Sequence, residues 1–191
     1  MENNNPKNQG YTIIETMIAV SLFIIIIMAG MGALLNANLL HQKSQSMRSI
    51  MDNLSFVMED MSRNLRTGYN YQCFDASHTI ISPATLGAPR SCAIGFGIAF
   101  ESANGISGSN ADQWVYYISN DGSGNGKIFK SVDGANNFIQ LTPDEVVINS
   151  ISSNLSVLGA EPPATGDQQE PFITIRLIGT ITFKNVVTPF S

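Results

Sequence analysis

With 191 residues, 43% of them hydrophobic and only 13% charged, the chain has the size and composition for one modest hydrophobic core, not for a disordered polymer. The formal net charge is −5, and the whole deficit lies from Gly68 onward, where five Lys and Arg face ten Asp and Glu. A surface of that sign does not attract nucleic acid in bulk. No Gly-x-Ser-x-Gly elbow or phosphate loop occurs, and His41 and His78 lack the sequence context of a triad, so neither an enzyme nor a cofactor is expected.

Met1 to Gly10 form a short polar leader ending in a small residue. An almost unbroken apolar run from Met17 to Leu35 follows, preceded by Ile13 and Ile14. At about 1.5 Å per helical residue it matches a hydrocarbon core of roughly 30 Å. Glu15 stands alone at the head of this run. A charge at the edge of such a segment is costly unless it reaches the interface or a partner, which makes it a functional suspect. Thr12 and Glu15 also have the spacing of a capping box, and the helix dipole favours a carboxylate there, so a helix start explains the residue equally well.

Gly10-Tyr11-Thr12-Ile13-Ile14-Glu15 resembles the class III signal of type IV pilins and pseudopilins: Gly, then Phe, Thr, Leu, a second aliphatic residue and Glu. Tyr11 replaces the usual Phe and Ile13 the usual Leu. The resemblance covers the leader and first helix, roughly Lys7 to Leu35, and the rest in outline. The competing reading is a secretory signal peptide cut near Ala29 to Ala33, or a plain signal anchor. The single lysine of the leader, the length of the apolar run and the position of Glu15 count against a signal peptide. Lys7 and the amino terminus on one side, against Lys43 and Arg48 on the other, leave the orientation open.

What the resemblance implies is specific. A membrane prepilin peptidase would cut between Gly10 and Tyr11 on the cytoplasmic side, and the new Tyr11 amine would be N-methylated. Glu15 would meet the amine of a neighbouring subunit within a filament core. The partners would be that peptidase, other pilins or pseudopilins, the inner membrane before assembly and an assembly platform. The chain would span the cytoplasmic membrane once, amino terminus inside, and then enter a cell-surface or periplasmic filament of a type IV pilus or type II secretion machine. The size of the head and the absence of a C-terminal cysteine pair resemble J-type pseudopilins and W-type minor pilins more than a major subunit. The alternative in another class is a membrane-anchored binding module, an adhesin or DNA receptor, for which the helix is only an anchor.

Asn36 to Arg66 continues without proline or glycine, and Met47, Ile50, Leu54, Val57, Met58, Met61 and Leu65 recur at steps of three and four, marking one helical face. Arg48, Asp52, Glu59, Arg63 and Arg66 lie opposite, and Thr67-Gly68 reads as the stop. One helix from Thr12 to Thr67 would be roughly 80 Å long. Gly30 and Gly32 fall mid-span, where they allow bending or close packing.

From Gly68 onward, short apolar runs among Gly, Ser, Asn, Asp and Pro predict strands and turns. The predicted strand regions are Ala93 to Glu101, Gln113 to Ser119, Lys127 to Val132, Phe138 to Leu141, Val146 to Leu158 and Phe172 to Lys184. Gly179 is read as a bulge in the last. Glu161 to Glu170 reads as an exposed loop. The expected fold class is therefore α+β, a long N-terminal helix packed on a mostly antiparallel β head, pilin-like. Its organisation would be leader 1–10, membrane and polymerisation half 11–38, and head 39–191.

Cys73 and Cys92 lie 19 positions apart, in the segment between the helix and the first predicted strand. A pilin-type head outside the cytoplasm permits a disulfide, which is favoured here over two reduced, buried thiols. Asp121, Ser123, Asn125 and Gly126 match the first, third, fifth and sixth positions of a calcium loop, but the twelfth is Val132. That stretch is read as a hairpin turn, with calcium as the alternative. Two thiols and two histidines do not suggest zinc. Lys127 and Lys130 are read as solvated edge charges. Phe138, Phe172 and Phe190 are read as core, with an exposed contact patch as the alternative.

Overall fold

The structure, a computed structural model, describes residues 10–106, 108–162, 170–183 and 186–191. The leader before Gly10, most of the Glu161 to Glu170 loop and Lys184 lie outside the described residues. One helix, α1 (Ile13–Thr67), opens the chain. Its contacts divide into two compact units, one ending at Gln45 and one running from Ser46 to Ser191. Gly30 and Gly32 lie inside α1 without interrupting it.

In the second unit, α1 buries the face its periodicity marks: Ile50, Leu54, Val57, Met61 and Leu65, with Met47 and Met58 half covered. Thr67 is its last residue. The hydroxyl of Tyr71 then donates to the carbonyls of Leu65 and Gly68, which satisfies acceptors that the end of the helix leaves open.

Among the described residues three antiparallel sheets follow. The five-stranded sheet has the order β1 (Tyr69–Phe74), β2 (Gly97–Glu101), β3 (Trp114–Ile118), β5 (Ile128–Ser131), β6 (Ile139–Gln140). A four-stranded sheet orders β11 (Val186–Phe190), β10 (Gly179–Phe183), β7 (Val146–Asn149) and β4 (Asn125–Gly126). β8 (Asn154–Leu158) forms a two-stranded sheet with β9 (Phe172–Arg176). Ile98, Phe100, Tyr116, Ile118 and Ile128 on one face of the first sheet form the main core with the α1 stripe and with Val146, Ile148 and Ile181. On the opposite face Phe74, Ala99 and Val115 pack with Leu86 and Ala135 from the connecting loops. β2 is therefore buried on both faces, and alternation disappears from its sequence.

Several expectations need correction. Cys73 is not in a connecting segment but in β1, which pairs with β2 through a register shift between Tyr69 and Gln72. The predicted Val146 to Leu158 strand is two strands in different sheets, separated by a turn in which Asn149 Oδ1 accepts from the amides of Ile151 and Ser152. Gly179 is no bulge. It opens β10 after the chain has left β9 for another sheet, and an added Cβ would collide with the carbonyl of Val147 on β7. The glycine-rich link between β3 and β5 contributes a strand of its own, β4.

Cys73 and Cys92 are joined by a disulfide, with Cα atoms 5.6 Å apart. Cys92 exchanges backbone hydrogen bonds with Val157, so the bond ties the first sheet to β8. The chain passes so closely here that a Cβ on Gly95 would lie 2.6 and 2.7 Å from the two sulfurs. Closing a loop of this size stabilises by about 3 kcal/mol, chiefly through the unfolded state. Replacing both cysteines by alanine is expected to lower the unfolding free energy by at least that amount, read as a lower urea midpoint, because buried volume is lost as well. An unchanged midpoint would contradict this role.

Candidate functional site

The first unit presents an exposed apolar surface. Every described residue from Gly10 to Gln42 is exposed, including Ile18, Phe23 and Ile25. Its most apolar 18-residue window has a mean hydropathy of 2.7, and none of that window is buried. By length and composition α1 can therefore cross a membrane. Its polar side chains are largely self-satisfied: Thr16 donates to the carbonyl of Ile13, and Ser21 to those of Met17 and Ile18.

The head of this helix is built as the sequence suggests, with one part missing. Thr12 Oγ1 accepts from the Glu15 amide at 3.3 Å, one half of a capping box. The reciprocal bond is not made, and the Glu15 carboxylate has no hydrogen-bond or ion-pair partner among the described residues. Tyr11 is 82% exposed beside Gly10. Gly10, Tyr11 and Glu15 thus lie together at an open helix start, whose charge is available to a group from another molecule.

The second unit holds a polar cluster that sequence reasoning missed. Asp60 Oδ2 accepts from Lys130 Nζ at 2.9 Å and from the Tyr116 hydroxyl at 2.7 Å, while Asn64 Nδ2 bridges Asp60 Oδ1 and the Tyr116 oxygen at 2.9 Å each. The Lys130 ammonium also stands 4.4 Å from the Trp114 ring centre and 5.4 Å from that of Tyr116. Burial pushes the Asp60 carboxyl up, but the bonds from Lys130, Tyr116 and Asn64 outweigh it and hold the group below its ordinary value. Burial and the Asp60 acceptor push the Tyr116 phenol far up. Lys130 is therefore a structural cation and not a solvated edge charge. Lys127 departs from that reading too, since its Nζ donates to the carbonyls of Pro143, Asp144 and Val146. The available signal was that Asp60 and Asn64, four apart, flank the apolar stripe between Val57 and Leu65.

In the Asn120 to Gly126 loop, Asp121 Oδ1 accepts from the amides of Ser123 and Asn125, and Oδ2 from the Asn125 side chain. Those three bonds hold the Asp121 carboxyl below its ordinary value. Asp121 therefore organises this loop through the Ser123 amide and through both the amide and the side chain of Asn125. His78 Nδ1 contacts Asp75 at 3.0 Å and His41 contacts Gln45, far apart in the chain. Phe138 stacks edge-on against Tyr117, and Phe190 packs against the main core, whereas Phe172 is exposed.

Comparison with protein-family models, with curated proteins and with solved structures finds no match for this chain.

Proposed function

We propose that the chain is a structural subunit of a pilus-like filament, a minor pilin or pseudopilin, held in the cytoplasmic membrane by residues 11–38 before assembly. The observation that carries this reading is the helix start: an exposed apolar first half of α1 headed by a carboxylate with no partner among the described residues. A helix apolar on every side needs lipid or other helices around it. In a bundle of such helices Glu15 would be desolvated, and it would then require a cation.

Cleavage after Gly10 by a prepilin peptidase supplies one, the α-amine of Tyr11. In low dielectric the attraction between that ammonium and the Glu15 carboxylate of a neighbour is strong, while desolvation takes back much of the gain. The pair acts mainly on register, since any docking position that leaves a buried charge unmatched is penalised. Thr12 is suited to this arrangement because it engages the Glu15 amide and leaves both carboxylate oxygens open. The β head then provides the surface of the fibre or of its tip.

The test is recovery of the chain in fibres sheared from cells that contain an assembly platform and a prepilin peptidase. The chain is expected in the sheared fraction of these cells and in the membrane fraction when the peptidase is deleted. Recovery in fibres regardless of the peptidase, or never, would overturn the proposal.

A further inference from the structure

The edge strand β9 lacks the guards that the other sheet edges carry. β4 and β6 end their sheets with two residues each, β11 contains Pro189, and the outer side of β1 bonds the Arg90 segment. Short strands and prolines blunt an edge against further pairing. β9 has five residues, no proline and no lysine. The bonds of its neighbour fix which of its backbone groups face outward. Leu155 and Val157 of β8 donate to Gly95 and Cys92, so Asn154, Ser156 and Leu158 are the β8 residues that bond β9, opposite Arg176, Thr174 and Phe172. The N–H and C=O of Ile173 and Ile175 therefore point away from β8, and no backbone hydrogen bond reaches them on that side among the described residues.

A groove runs beside this edge, against the second half of α1. Two hollows of about 320 and 640 Å³ meet at Ser62 and Ile175, which line both. Leu65, Tyr71 and Ile173 continue the first, and Met51, Met58 and Leu177 the second. β8 lines neither, which places both on the unpaired side of β9. Alternate side chains of a strand laid on β9 would project into the groove about 7 Å apart. The charge of the groove opposes that of the head. Arg66 and Arg176 line it against one acidic side chain, Glu59, and neither arginine forms an ion pair among the described residues. An occupant with a carboxylate supplies the missing counter-charge. β9 of a second copy would bring another arginine and no carboxylate, which disfavours self-pairing.

We propose that the free edge of β9 is a docking site for an extended, acid-bearing segment of a partner protein, which adds to the sheet as a further strand. The backbone of Ile173 and Ile175 supplies the ladder, the groove against α1 takes alternate apolar side chains, and Arg66 and Arg176 select the carboxylate. The proposal does not depend on the filament reading.

The probe is a short blocked peptide of alternating valine and threonine with one aspartate, added to the isotope-labelled full chain in detergent micelles while amide exchange is followed by NMR. In the free chain the Ile173 and Ile175 amides are expected to exchange as open backbone while Thr174 is protected by β8. Saturating peptide is expected to slow both by about tenfold or more. Lysine in place of the peptide's aspartate is expected to weaken binding, and Arg176→Glu to reverse that preference. Ile175→Pro deletes an outward donor without touching the β8 ladder and is expected to weaken binding roughly two- to tenfold. The same peptide with every amide N-methylated is expected to leave exchange unchanged, which carries the test should Ile175→Pro fold poorly. Slow exchange of Ile173 and Ile175 in the free chain would overturn the proposal, because the chain would then cover its own edge, and protection that grows with protein concentration would assign the edge to a second copy instead. Failure of the peptide to protect, equal protection by the N-methylated form, or equal binding of the lysine peptide would overturn it as well.

Discussion

Replacing Asp60 by alanine is expected to destabilise the head by about 2–3 kcal/mol, between the small value of an exposed ion pair and the 3–5 kcal/mol of a fully buried one. The Asp60 and Lys130 side chains are each 18% exposed, so solvent screens the pair only in part. Truncation leaves the Lys130 ammonium held over Trp114 without its counter-charge and removes an acceptor from Tyr116. The urea midpoint measures the loss. Lys130→Met in the same background is expected to recover part of it, because the stranded cation is gone while its aliphatic contact with the ring remains. A loss below about 0.5 kcal/mol would reduce the cluster to a surface pair.

The same cluster predicts a pH dependence. The Asp60 carboxyl lies below its ordinary value, so its contribution is complete above the unfolded carboxylate range and is lost as pH falls through the lowered folded value. Stability is therefore expected to fall below about pH 4. Asp60→Asn is expected to flatten that limb relative to the parent in urea titrations at pH 2–5.

Glu15→Gln is expected to abolish recovery of the chain in fibres while leaving its head stability and membrane insertion unchanged. The amide keeps the size of the side chain, and the cap survives because the bond runs from the Glu15 backbone amide to Thr12 Oγ1. Only the charge is removed. A buried Tyr11 ammonium without its counter-ion loses on the order of 3–5 kcal/mol at each subunit contact, a factor of roughly one hundred to several thousand in docking. Normal fibre incorporation of Glu15→Gln would show that capping alone accounts for the residue.

The helix was legible because its signal is local. Steps of three and four from Met47 to Leu65 select the face that is buried, and Thr67-Gly68 marks the end. The antiparallel β character of the head was legible from its punctuation, but its partition was not. β4 and β6 have two residues each, too short for any period, and β2 is buried on both faces. β1 escaped notice because Asn70 has a positive φ of 54° and the register with β2 shifts there, which breaks alternation at its start. At the site, Glu15 stood out as a lone charge beside an apolar run. Asp60 and Lys130 are 70 positions apart and meet only in the folded head. Charges paired by tertiary structure carry no sequence period.

The central claim is that residues 1–10 are a leader and Tyr11 a new amino terminus. N-terminal peptide and intact-mass spectrometry on the chain recovered from membranes, with and without a prepilin peptidase, tests it most directly. The account predicts a peptidase-dependent amino terminus at Tyr11, one methyl group heavier than the unmodified residue. A chain beginning at Met1 in both strains, or one cut near Ala33, would contradict it.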